Sequence, residues 1–188
     1  MAYLTRAKLI KMGFKYLGDN VKISDKASIY DADKISIDSF SRIDDFCVIS
    51  GSIDIGKYVH ITPMCLIAGG QSGVFIADFC TLAYGVKVFA QSDDYSGETM
   101  TNSLIPQKYK NEYIAKVTLQ KHVILGANSV VLPGVNLAEG SSGGAMTLFD
   151  KNTSSWGIYV GTPAKRIKER KKNLLDLEKK FQKEILSD

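Results

Sequence analysis

Histidine is scarce in this chain. Its 188 residues contain two, His60 and His122, beside three cysteines and one tryptophan. Two histidines cannot supply a three-histidine zinc centre, and the cysteines Cys47, Cys65 and Cys80 match no zinc spacing. No apolar run approaches the ~20 residues of a membrane span, and the segment MAYLTRAKLIKMGF lacks a long apolar core with a cleavage site. A cytoplasmic protein without a transmembrane segment or a metal is therefore expected. Basic residues interleaved with aromatics are absent too, so nucleic acid is not an expected partner. Net charge is +4, and the residues from Gly161 onward carry all of that excess.

What the chain has in quantity is period. Between Leu119 and Gly143, apolar or small residues recur every sixth position: Leu119, Leu125, Val131, Leu137 and Gly143. Small residues keep a fixed offset (Val123, Ser129, Val135, Ser141), and turn formers such as Gly126, Asn128, Gly134 and Gly140 fall between. Six is neither the 3.6 of a helix nor the alternation of a hairpin strand. It is the signature of a β-solenoid in which each hexad is a short strand plus a corner and three hexads close one triangular coil.

Hexads start at Ile23 and Ile29, slip by two residues, and run unbroken through Ile37, Ile43, Ile49, Ile55, Ile61 and Ile67. An insertion near Gly69-Gly70-Gln71 shifts the register to Ile76, Leu82 and Val88. The cysteines occupy the small inward slot, so Cys47 and Cys65, one coil apart, should stack as buried reduced thiols. About five to six coils at the ~4.8 Å strand spacing predict a prism ~25–30 Å tall. Residues 4–17 read as an amphipathic helix capping the open end. Residues 90–116 carry no hexad pattern and are predicted to form an ordered loop covering a site. From Met146 the chain is expected to leave the prism, and from Lys165 to form a charged helix with Leu174, Leu177, Phe181 and Ile185 as its apolar stripe. The expected division is 1–20 as cap, 21–160 as prism and 161–188 as basic helix. A flat face carrying Ile53 and Tyr58 suggests burial between copies in a cyclic oligomer.

The stretches GKYVHITPMCLI, ADFCTLAYGVKVF, LQKHVILGANSVVLPGVNLAEGSSGGAM and WGIYVGTPAKRIK resemble the hexapeptide-repeat acyltransferases, in particular the sugar O-acetyltransferase branch with its galactoside and maltose acetyltransferases. The resemblance implies an all-β fold, a left-handed parallel β-helix, assembled as a homotrimer with acetyl-CoA as donor and active sites in clefts between prisms. It implies coenzyme A along small corner residues, here Gly126, Ala127, Gly144 and Ala145, with the Ala127 amide as an oxyanion donor. It also places Lys151, Lys165 and Arg166 near the phosphates.

In that branch the catalytic histidine opens the long loop. This chain has Gln91-Ser92-Asp93-Asp94-Tyr95 there instead. A hydroxyl needs a base to become nucleophilic at neutral pH. His60 is the expected replacement base, with Asp93 as its polar partner; Asp93 or Asp94 would orient it, or act alone if pairing raises one carboxyl, and Thr62, Asp94 and Tyr95 are the expected acceptor contacts. The expected reaction is acetyl transfer to a sugar hydroxyl, with surface-polysaccharide building as its expected setting. The alternatives are N-acetylation of an amino sugar, often nucleotide-linked, whose amine needs weaker base machinery, and a non-catalytic β-helix scaffold.

Overall fold

A computed structural model describes residues 2–185 as a parallel β-solenoid of about seven turns. Three sheets form the faces of the prism. The first joins Tyr16–Leu17, Ile35–Ile37, Ile53–Ile55, Val74–Ile76, Val117–Leu119 and Asn136–Leu137. The second face runs from Lys22–Ile23 through His60–Ile61 and Ile124–Leu125 to Gly157–Val160, and the third from Ser28–Ile29 through Lys87–Phe89 to Leu148–Phe149. Each strand pairs with the strand one coil away, as in Arg42↔His60 and His60↔Thr81, so every hexad position becomes a column along the prism.

The sequence explains the winding. The repeated isoleucines, leucines and valines point inward and stack: Ile23, Ile43, Ile61, Leu82 and Leu125 are buried on the second face alone. Burying such a side chain contributes ~1.5–3 kcal/mol. The small-residue slot is buried too, and Ser41 and Ser129 spend their hydroxyls on the carbonyls of Gly56 and Gly144 in the next coil. Cys47 and Cys65 lie in that column as free thiols, their sulfurs on the carbonyls of Thr62 and Ala83. Contact with Cys65, and then burial, push the Cys47 thiol up, while burial takes Cys80 up to about 12. The Cys47 and Cys80 thiols stay protonated and unreactive, while the bond from Cys47 lowers Cys65.

The two-residue slip in the hexads is the short 3-10 turn Ala32–Lys34, entered through Asp31 in the left-handed region. The loop leaves through an antiparallel pair, Gln91–Ser92 against Tyr113–Ile114, which holds its base closed.

Several expectations need correction. The cap helix α1 spans only Arg6–Lys11: Thr5 caps its first turn and Gly13, at φ +73°, ends it, so Tyr16–Leu17 is already a strand. The solenoid has about seven turns rather than five to six, because the chain does not leave the prism at Met146. Leu148–Phe149 pairs with Val130–Val131 and Gly157–Val160 with Ser142–Gly143, adding one more coil. Lys165–Glu169 is a strand, not a helix. It folds back antiparallel on Gly157–Val160 after the turn at Gly161, so helix α2 begins only at Leu174 and runs to Ile185.

The proposed face of Ile53 and Tyr58 does not exist as drawn. Ile53 is inside the core. Tyr58 belongs to a corner column of rings, Phe40–Tyr58–Phe79–His122–Trp156, with successive centroids 5.0, 5.1, 5.3 and 6.3 Å apart. Helix α2 lies over that column: Phe181 packs edge-on to Tyr58 and Phe79, and Glu178 binds His122 at 2.8 Å and Lys121 at 2.5 Å.

Candidate active site

Two surface regions collect the residues singled out from sequence. One is a polar cavity of about 630 Å³ at the root of the loop, lined among others by Asp31, Lys34, Gln91, Asp93, Ser103 and Glu112. The insertion at Gly69–Gly73 and the closed base of the loop form its walls. Gln91 donates to Glu112 at 2.8 Å and Lys110 reaches the same carboxylate at 3.2 Å. Those two bonds hold the Glu112 carboxyl below its ordinary range. Asp93 faces this cavity and accepts from the Asn102 backbone at 3.3 Å.

Asp94 instead shapes the loop. It accepts from Ser96 N and from Thr99 Oγ1, both at 2.8 Å, and the Ser96 bond leads in holding its carboxyl low. Tyr95 projects into solvent, 91% exposed.

The second region is the corner between the second and third faces. Ala127 and Ala145 stand one above the other there, linked by Met146 N donating to Ala127 O at 2.8 Å. Among the described residues, the N–H groups of Ala127 and Ala145 meet no acceptor, and both residues have solvent access. Gly126 and Gly144 make this corner narrow. A Cβ on Gly126 would stand 2.5 Å from Ala145 N, and one on Gly144 2.9 Å from a Val160 methyl. The corner is therefore a smooth strip with outward backbone donors, suited to an extended amide-bearing ligand. Lys151, Lys165 and Arg166 are exposed on the last coil and its returning strand, and Arg166 is paired with Glu169.

His60 lies in neither region. It projects from the second face, where Nε2 meets Asp44 Oδ2 at 2.8 Å, and Arg42 grips the same carboxylate through Nε at 2.6 Å and a terminal nitrogen at 3.1 Å. The Asp44 side chain is 3% exposed, and its bond raises the Arg42 guanidinium further. Within one chain His60 is thus oriented by Asp44, not by Asp93 or Asp94. Thr62 is buried, its hydroxyl donated to Leu82 O at 2.9 Å.

Sequence reasoning missed Asp44, Asp31, Gln91 and Glu112. Asp44 sits 16 residues before His60, close to one coil, and that spacing was the available signal. Gln91 and Glu112 could be found only once the two ends of the loop were known to pair. Among the described residues, no group of three or more His, Cys, Asp or Glu is placed to hold a metal ion.

Comparison with known proteins decides the class of chemistry. No family model matches the chain. A dTDP-4-amino-4,6-dideoxy-D-glucose acyltransferase of Escherichia coli is 44% identical over 191 aligned residues, covering 100% of this chain and 99% of that protein. The chain belongs to the hexapeptide-repeat acyltransferases. Among solved members of this family, the N-acyltransferase AntD of Bacillus cereus, in complex with dTDP and 3-hydroxybutyryl-CoA, is 42% identical with a TM-score of 0.96 over 97% of each chain. A variant of AntD holds dTDP-4-amino-4,6-dideoxyglucose and coenzyme A, at the same identity and TM-score. The acyltransferase assignment stands, and the hydroxyl acceptor does not. One full-length relative is an acyltransferase of a dTDP-linked amino sugar and the other an N-acyltransferase solved with that sugar nucleotide, which overturns the expectation of sugar O-acetylation.

Proposed function

We propose that this chain transfers an acyl group from coenzyme A to the amino group of a dTDP-linked 4-amino-4,6-dideoxy sugar. The observation that carries the reading is full-length identity of 44% to an acyltransferase of that substrate. The loop supports it independently. An amine, once neutral, is already nucleophilic, so a site whose loop begins Gln91-Ser92-Asp93 without histidine suits nitrogen better than oxygen.

In this mechanism the sugar amine enters the cavity at the loop root, where Asp93 favours a cationic group while Asp31 and Glu112 are paired with Lys34 and Lys110. The donor lies along Ala127 and Ala145, its phosphates toward Lys151, Lys165 and Arg166, and the Ala127 N–H stabilises the thioester oxygen as it gains charge. The ammonium first gives one proton to Asp93 and so to solvent, and the neutral nitrogen then attacks the thioester carbonyl. The N–C bond forms as the C–S bond breaks; nitrogen's proton passes to Asp93 and on to the departing thiolate, leaving the amide and CoA–SH. Because Asp93 and the Ala127 strip sit at opposite ends of the strand Lys87–Phe89, or one coil beyond it, the working site pairs the strip of one prism with the loop of another in a homotrimer. Acetyl-CoA is the proposed donor, and the cytoplasm the proposed compartment.

The test is thiol release from acetyl-CoA with dTDP-4-amino-4,6-dideoxyglucose, set against hydroxyl sugars lacking the amine. Amide formation with the amino sugar alone is expected. Equal turnover of a hydroxyl sugar, or none of the amino sugar, refutes the reading.

A further inference from the structure

The corner that carries Ala127 and Ala145 continues downward, and its next residue breaks the pattern. Gly85 N donates to Pro63 O at 3.1 Å and Asn128 N to Tyr84 O at 2.8 Å, so Pro63, Tyr84, Ala127 and Ala145 occupy successive levels of one column, ~4.8 Å apart. Two levels present methyl groups, and the one below presents a phenol ring.

That ring has no structural employment. Tyr84 is 62% exposed, and among the described residues its side chain makes no hydrogen bond, ion pair or ring contact. The rings of the other corner are, by contrast, stacked one on the next. Beneath Tyr84, Met64 and Phe46 follow in the neighbouring column, 64% and 57% exposed, with Lys26 over the Phe46 ring at 5.7 Å, so apolar side chains continue past the phenol.

We propose that Tyr84 limits the length of the acyl group transferred, by standing across the lower end of the small-residue strip. The inference rests on the acyl-CoA reading above. Lys151, Lys165 and Arg166, the cations placed at the phosphates in that reading, stand on the last coil and its returning strand, so the phosphate end of the donor lies at the top of the column. The thioester end therefore points down, toward Tyr84. An acetyl group ends above the ring, and a longer chain must displace it to reach Met64 and Phe46. A methylene that fits or clashes in such a site changes discrimination by about 10–200-fold.

The experiment compares kcat/KM for acetyl-CoA and butyryl-CoA, with dTDP-4-amino-4,6-dideoxyglucose as acceptor, in the native chain, Tyr84→Ala and Tyr84→Phe. The native chain should favour acetyl at least tenfold. Tyr84→Ala should move the ratio at least tenfold toward butyryl with the acceptor KM unchanged, and Tyr84→Phe should keep the native ratio because ring volume is what acts. A Tyr84→Ala ratio within threefold of native, a native preference for butyryl, or equal loss of selectivity in Tyr84→Phe overturns the proposal. If no form acylates the amino sugar, the functional reading fails separately. Calorimetric binding of the two thioesters then reads the steric claim: a tenfold relative gain for butyryl-CoA in Tyr84→Ala sustains it, and no relative change or no CoA binding ends it.

Discussion

Gly126→Ala is the sharpest probe of the link between winding and donor binding. Gly126 is not in the left-handed region, so the substitution meets a steric conflict rather than a conformational one. Its new Cβ would lie 2.5 Å from Ala145 N and 2.6 Å from the Gly144 carbonyl carbon, where ordinary contact begins at 3.4 Å. Both atoms are backbone of the next coil and cannot rotate aside. Relief requires the two coils to separate by most of an ångström, although Gly126 N is bound to Gly143 O at 2.8 Å. Overpacking of this kind costs about 1–3 kcal/mol. The strained hydrogen bond adds about 0.5–1.5 kcal/mol. For a chain of this size each kcal/mol lowers Tm by roughly 2–4 °C, so a fall of about 5–15 °C is expected in a thermal melt followed by circular dichroism. The displaced residues carry the free donors of the strip, so the KM for acyl-CoA should rise while that for the sugar nucleotide stays. A melt within 2 °C of native with unchanged KM would refute the argument that coil contact is tight here.

Other outcomes follow from the site and the strap. Asp93→Asn keeps the shape and removes proton acceptance, so kcat should fall roughly 100-fold with little change in the acyl-CoA KM. His60→Ala should lower turnover less than tenfold, since His60 is paired with Asp44 away from the cavity; a 100-fold loss would return the base to His60. Burial pushes the Glu178 carboxyl up, but hydrogen bonds from Lys121 and His122 outweigh it and leave it below 4.5. A depressed acid stabilises the fold above its unfolded value and ceases to as pH falls through the folded one. Melting temperature should therefore drop as pH falls below about 4.5 in the native chain, and less so in Glu178→Gln, with titrated melts as the measure.

Much of this molecule was legible because a coil is a local rule. Ile37 through Ile67 each declare the inward slot, and Cys47, Cys65 and Ser129 declare the small one beside it, so column membership follows by counting. Counting fails where the chain stops repeating. Lys165–Glu169 has the composition of a charged helix and becomes a strand only because the exposed edge of Gly157–Val160 is there to pair with. The corner rings were hidden for another reason. Phe40, Tyr58, Phe79, His122 and Trp156 all sit at positive φ, a conformation that propensity assigns to glycine or asparagine, and they form a stack only when the coils align them. The acceptor was hidden most deeply. Nothing in Gln91-Ser92-Asp93-Asp94 distinguishes nitrogen from oxygen except the histidine that is missing.

The returning strand Lys165–Glu169 also governs how the molecule ends. A stack of parallel strands has no intrinsic stopping point, and its last rung offers a template on which a foreign strand can dock and begin a fibre. By turning back antiparallel, the chain pairs that rung of the second face with its own backbone and leaves Lys165 and Lys168 on the new edge.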